Sequence, residues 1–297
     1  MFIAVAAAAF QTVRFMLQKQ LSMGKLSTGG ATFSRFFYSV PFITALVTAY
    51  LLWRGVDLPS FSPLFWAYAC SGGLAQILAT WCVVALFQQR NFAVGITFKK
   101  TEVLLTAFVG LVILGDRISL PGFVAILIGL IGVLILSQKP GQTDGGLISQ
   151  IFNKGAGLGL LSGVLFAISA VGYRGATLEI ASTDALLRSS MSLVVVTWGQ
   201  TIGMALWLLW REPGEISRVI SARRTAVWMG VTGMAGSLCW FTAFTLQNAA
   251  YVFAVGQVEV IFSLAASVLF FKETVSRKEL GGICFITVSI VYLVIAA

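Results

Sequence analysis

Residues Glu102–Gly132 read EVLLTAFVGLVILGDRISLPGFVAILIGLIG, and residues Glu259–Ser289 read EVIFSLAASVLFFKETVSRKELGGICFITVS. Each opens on Glu-Val, runs on as apolar sequence, breaks at a short charged turn and resumes as a second apolar run. A shift of 157 positions superposes Glu102-Val103 on Glu259-Val260, Asp116 on Glu273 and Ser119 on Ser276. Upstream the same shift superposes Phe87 on Phe244, Asn91 on Asn248 and Ala93 on Ala250. Apolar coincidences come easily in such a composition. A Glu within an apolar run, an Asn and a loop acid in one ungapped register do not, so the chain reads as a duplication. Ser119 and Ser276 each stand where a hydroxyl can cap the next helix.

Outward from these segments, apolar runs recur near 2–18, 32–53, 64–87, 92–114, 120–137, 155–173, 185–210, 225–245, 251–271 and 279–296. Most approach the roughly twenty residues a helix needs to cross a hydrocarbon core about 30 Å thick. The 297 residues are 58% apolar and only 10% charged, against about 25% charged in a soluble domain. Such a chain cannot cover a water-facing surface and must face lipid. Period-two alternation is absent, which favours a helical bundle over a membrane β-barrel. The fold class is therefore read as an all-α integral membrane protein with ten transmembrane helices in two five-helix repeats, 1–138 and 155–297, joined by a polar linker, 139–154. Because five is odd, the second copy starts from the opposite face, and the repeats are expected to be inverted. A cavity between them would open to alternate sides as one rocks against the other. Gly155, Gly159 and Gly163 in the sixth run, and Gly230, Gly233 and Gly236 in the eighth, are small-residue stripes that let backbones approach closely in lipid. The sixth-run stripe could also serve pairing of two copies, so a monomer or homodimer is expected.

The net charge of +9 does not point to nucleic acid, because the basic residues lie singly or in pairs between apolar runs, as topology-setting charges do. Cys70, Cys82, Cys239 and Cys284 fall inside apolar runs without a Cys-x-x-Cys pair and read as small buried hydrophobes. The chain has no histidine, which removes the commonest metal ligand and general base together; no metal or cofactor is expected. A Ser–His membrane protease and a His-Glu-x-x-His zinc helix are thereby excluded. No Gly-x-x-x-x-Gly-Lys-Ser/Thr phosphate loop occurs, and every aspartate lies between apolar runs, so an enzyme is not expected. The chain opens inside the run Phe2–Phe10, with basic residues following only at Arg14 and Lys19, unlike a cleaved signal peptide.

Charge inside a bilayer costs about 2.5–3.5 kcal/mol per residue on insertion scales, so charges that persist there usually face a cavity or a partner. Lys99, Lys100 and Glu102 lie within the fourth run. Lys99 and Glu102 could simply neutralise each other at i,i+3, or the lysines could extend to the interface. Alternatively all three face the cavity and bind a substrate carboxylate or amine, or carry a coupling proton. In the second copy Gln257 and Glu259 take the places of Lys100 and Glu102. Glu259 has no lysine at corresponding positions, which makes it the expected titrating acid. Gln76, Trp81 and Trp240 lie well inside their runs and are candidate liners for a substrate with an apolar or aromatic part. Arg14, inside the first run, is a candidate anion or gate residue. Arg35 and Arg188, near the starts of the second and seventh, read as arginines that reach back to headgroups, with a gate or an anion-binding role as the alternative.

The two quoted segments resemble the end of an EamA-type repeat, in which an acid-bearing fourth helix, a short charged turn and a Gly-containing fifth helix follow one another. The resemblance implies a member of the drug/metabolite transporter superfamily: a multi-pass exporter of the cytoplasmic (inner) membrane for an amino acid, a related metabolite or a drug. Its central cavity would be lined mainly by the third, fourth, eighth and ninth helices, with the fifth and tenth outside. The implied partners are a small-molecule substrate and the lipid bilayer. A channel or a lipid scramblase on the same bundle is the alternative.

Overall fold

The computed structural model describes residues 1–24, 26–87, 99–100, 102–137, 154–272 and 277–296. Linker residues 139–153, the start of the fourth run with Asn91 and Ala93, and the second turn Glu273–Ser276 lie outside the described residues.

All regular structure among the described residues is helical. The elements are α1 (Phe2–Gly24), α2 (Thr28–Arg54), α3 (Pro63–Phe87), α4 (Glu102–Leu114), α5 (Leu120–Ser137), α6 (Lys154–Leu178) and α7 (Ala185–Arg211). A short α8 (Glu215–Ser221) follows, then α9 (Arg223–Leu246), α10 (Ala249–Val255), a 3₁₀ turn (Gly256–Val258), α11 (Glu259–Leu269) and α12 (Arg277–Ala296). Helices satisfy every mid-segment backbone group internally, which lipid demands. Their ends are closed by side chains: Ser27 accepts from the Gly30 N–H, Asp184 from Leu186 and Leu187, and Asn248 from Ala250. Ser119 caps α5 as its sequence position suggests, accepting from the Gly122 N–H at 3.2 Å.

Six stretches are long and apolar enough to cross a membrane: Thr28–Arg54, Pro63–Phe87, Gly157–Leu178, Ala185–Arg211, Arg223–Leu246 and Ala249–Leu269. Glu102–Leu114, Leu120–Gly129 and Leu280–Ser289 are shorter apolar helices. The count of long spans thus falls below the ten read from sequence, for two visible reasons. α1 is long but buries Gln11, Arg14, Gln18 and Lys19, which lowers its hydropathy. The fourth run is described as a helix only from Glu102 onward. The run 251–271, expected as one helix, is instead broken at the Gly256–Val258 3₁₀ turn.

The broadest helix pairings are α3 with α6, α5 with α12 and α1 with α9, followed by α2 with α7, α4 with α6 and α2 with α9. At the α3–α6 crossing a Cβ on Gly172 would stand 3.0 Å from the Gly72 Cα. A Cβ on Gly230 would meet the backbone of Tyr38, so the eighth-run stripe serves the α2–α9 contact. Polar ties join the two halves at the helix ends. The Arg174 guanidinium donates to Asp116 at 2.9 and 3.2 Å and to the carbonyls of Phe244 and Gln247. The Ser27 N–H and hydroxyl donate to Glu215 and Glu212. The cysteines are only partly as expected: Cys82 is buried and Cys239 half-buried, but Cys70 and Cys284 lie on the outer surface, where a small thiol meets lipid as readily as core.

Candidate functional site: a cavity walled by buried charge

The middle of the bundle holds a four-member ion cluster assembled from both halves. Lys99 and Lys100 sit just before α4, and Glu102 is the first residue of α4. Glu259 opens α11, immediately after the 3₁₀ turn. The Lys99 and Lys100 ammoniums donate to the same oxygen, Oε2 of Glu259, at 2.9 and 2.5 Å. Gln11 Nε2 of α1 donates to that oxygen as well, at 3.0 Å. Lys100 also donates to the Gly256 carbonyl at 3.1 Å. That carbonyl lies at the 3₁₀ turn, and a break within a membrane helix is where irregular backbone can hold a charged group. Lys99 further faces the rings of Phe15 and Phe166, 5.4 and 5.1 Å from the centroids. Four side chains from two halves therefore converge where lone charges would be prohibitive, and their pairing offsets the desolvation.

The two acids are not equivalent. Glu259 Oε2 accepts three hydrogen bonds. Glu102 stands 3.5 Å from both lysines, yet neither of its oxygens accepts a hydrogen bond among the described residues. The expectation that Glu259 lacks a lysine holds for the linear register only; the fold brings both lysines of the first half across to it. Glu259 Oε1 also accepts none, but only Glu102 among these two acids has both oxygens free, and it lines a cavity.

That cavity is a narrow one, with about 20 Å³ of free room, walled by Gln11, Gln76, Lys99 and Glu102 on its polar side. Tyr173, Trp240, Phe241, Phe244 and Phe253 wall the aromatic side. The Trp240 N–H donates to Gln11 Oε1 at 3.1 Å, and the same oxygen accepts from Arg14 at 3.4 Å. The Tyr173 hydroxyl donates to Gln76 Oε1 at 2.6 Å, and Gln200 Nε2 reaches that oxygen at 3.1 Å. A smaller side pocket, with about 10 Å³ of free room, shares Gln76 and Ser237 with it and is lined by Arg35, Ser39 and Gln200.

Of the nine residues singled out by sequence, Lys99, Glu102, Gln76 and Trp240 line the cavity. Lys100, Glu259 and Arg14 sit buried directly behind it. Two lie elsewhere. Trp81 packs edge-on against Trp207, centroids 4.8 Å apart, beside Gly29 at the start of α2. Gln257 lies against Gly129 and Ser289 at the α5–α12 contact, because the 3₁₀ turn rotates it away from Glu259. Arg35 departs from the headgroup reading too: α2 begins at Thr28 rather than 32, which carries Arg35 inward. It is 3% exposed and donates to the hydroxyls of Thr80 and Ser237, both at 3.1 Å, instead of reaching headgroups. Arg188 remains near its helix end, donating to the Thr177 carbonyl at 2.7 Å. Gln11, Tyr173, Gln200 and Ser237 were not singled out. Gln11 was findable, since Gln11, Arg14 and Gln18 form an i, i+3, i+7 polar stripe on one helix face; the other three look like ordinary interior polars.

No curated protein matches the chain. A solved structure described only as "Crystal structure of protein" superposes with a TM-score of 0.70 at 15% identity, covering 99% of this chain and 97% of its own. At that identity the likeness establishes the fold alone. Residues 153–295 match the model of the EamA-like transporter family. That match, which takes in the helices from α6 to α12, supports an EamA-type transporter for this multi-pass membrane chain.

Proposed function

We propose that this protein is a secondary transporter, an exporter of the inner membrane, that carries a small metabolite through the central cavity by alternating access. It would act as ten crossings in two inverted five-helix repeats, as a monomer or homodimer. The observation that carries the reading is the convergence of Lys99 and Lys100 from one half and Glu259 from the other on one buried cluster beside a cavity. An ion cluster made only when two halves meet is a device their relative motion can rearrange. The pairing pattern supports a duplication related by a two-fold exchange: swapping the halves turns α3–α6 into α9–α1 and α4–α6 into α11–α1, and leaves α2–α7 and α5–α12 as they are. The aromatic wall favours a substrate with an apolar body, within the class of amino acids, related compounds or drugs. The protein reconstituted in proteoliposomes should show saturable counterflow, with accumulation of labelled substrate driven by unlabelled substrate on the other side. Flux that neither saturates nor exchanges would instead mark a channel, and movement of lipid between leaflets a scramblase.

A further inference from the structure

We infer that the Arg35 side pocket is an anion subsite that takes the carboxylate of an organic substrate with an apolar body. The inference deepens the carrier reading above and rests on it for the cavity's purpose. Around the cavity and ion cluster the cations Arg14, Arg35, Lys99 and Lys100 and the carboxylates Glu102 and Glu259 are all buried. Both lysines are committed to those carboxylates. Neither guanidinium is ion-paired among the described residues. Arg14 donates to the neutral oxygens of Gln18 and Gln11, and Arg35 donates only to the Thr80 and Ser237 hydroxyls. Buried charge normally has a partner of opposite sign, and these two have none among the described residues.

Of the two, Arg35 lines a pocket, the small side pocket that shares Gln76 and Ser237 with the main cavity. The groups around it are donors. The Gln76 carbonyl oxygen is occupied by Tyr173 and Gln200, which leaves its amide N–H groups without an acceptor among the described residues. Ser237 receives from Arg35, which leaves its own O–H to give. Gln76 and Ser237 wall both compartments, so guanidinium, amide and hydroxyl donors gather where the two pockets meet. Glu102, with its free oxygens, lines the main cavity. A planar fork with added donors is the geometry that recognises a carboxylate. The Trp240, Phe241 and Phe244 rings of that cavity would cover the apolar body.

The test is titration calorimetry on the purified full chain in detergent, with 3-phenylpropionate, its uncharged amide and sodium chloride as three separate titrants. The carboxylate should bind at least tenfold more tightly than the amide, and chloride should compete only weakly. Arg35→Gln should lose the carboxylate by tenfold or more, while Arg211→Gln, at the exposed end of α7, should keep it. Should Arg35→Gln fail to fold, Gln76→Glu places an acid among the donors and should abolish carboxylate binding in a folded protein. Equal binding of amide and carboxylate, or full retention in Arg35→Gln, overturns the inference. Chloride that binds as tightly as the carboxylate also overturns it, in favour of an inorganic anion site. Arg35-dependent binding with no counterflow in proteoliposomes sinks the carrier reading and leaves the subsite standing. Counterflow of substrates that ignore Arg35 does the reverse.

Discussion

Glu259 and Glu102 differ in what they hold rather than in depth, since both are fully buried. Glu259 anchors two ammoniums and an amide through one oxygen. Replacing it by Gln strands two buried lysines, and breaking a buried pair in this way costs about 3–5 kcal/mol. Glu102 accepts no hydrogen bond, so Glu102→Gln should change stability far less while removing the acid that faces the cavity. We expect Glu259→Gln to lower the melting temperature of detergent-solubilised protein clearly, and Glu102→Gln to melt near wild type yet lose at least tenfold in transport rate. Thermal unfolding and counterflow measured on the same preparations decide it; wild-type transport in Glu102→Gln would remove that acid from the mechanism. The ion cluster was legible in the sequence because charge within apolar runs is conspicuous. Its partners were not. Which lysine serves which acid depends on how α4 meets α11, a distance of 160 positions or so along the chain, and no periodicity encodes that. For Arg35, the choice between headgroups and the interior turned on the placement of a single helix start.

Helix ends decide such details, and α7 offers a case where the physics can be isolated. Asp184 caps it, accepting from Leu186 and Leu187 at 2.9 and 3.2 Å, and also accepts from the Tyr50 hydroxyl of α2. Arg54 stands 3.7 Å away. The Tyr50 hydrogen bond, with help from the backbone N–H groups, holds the Asp184 carboxyl below its ordinary value. A carboxylate whose folded value is lowered stabilises the fold fully above its unfolded value, about 4, and loses that contribution as pH falls through the lowered value. Asp184→Ala should therefore cost about 1 kcal/mol at neutral pH, the usual worth of such a cap. The gap between wild type and variant should narrow only in acid, below the ordinary carboxylate range. Melting curves of both proteins at pH 7 and at pH 3 test this; a gap that widens in acid would contradict the assignment. Caps of this kind were partly legible, as the Ser119 position showed. The break at Gly256–Val258 was not, because the run it interrupts is uniformly apolar apart from Gln257 and Glu259.

For the molecule as a whole, the question is whether the two halves point opposite ways. The register shift of 157 positions shows duplication but not direction. Direction came from counting crossings, and the count depends on reading α1, α4, α5 and α12 as spans although their length or composition falls short of an isolated membrane helix. Their shortfall is understandable in a bundle. α1 turns its polar face to the ion cluster, and α5 and α12 shelter each other, with Ser289 donating to the Ala125 carbonyl at 2.6 Å. If all of them cross, the α2–α3 and α7–α8 connections are equivalent by duplication and must lie on opposite faces. If the halves were parallel, both would lie on the same face. Asp57 and Ser217 are exposed in those two regions, so each can carry a single cysteine in a background where Cys70, Cys82, Cys239 and Cys284 are serine. In sealed, right-side-out vesicles a membrane-impermeant maleimide should label one variant and spare the other until the membrane is permeabilised. A cysteine placed at Ala297 should share the face of Asp57, because three spans lie between Asp57 and the linker, and five between the linker and the end. Labelling of Asp57→Cys and Ser217→Cys from the same side would leave the cavity without its inverted partner halves, and alternating access would lose its structural basis.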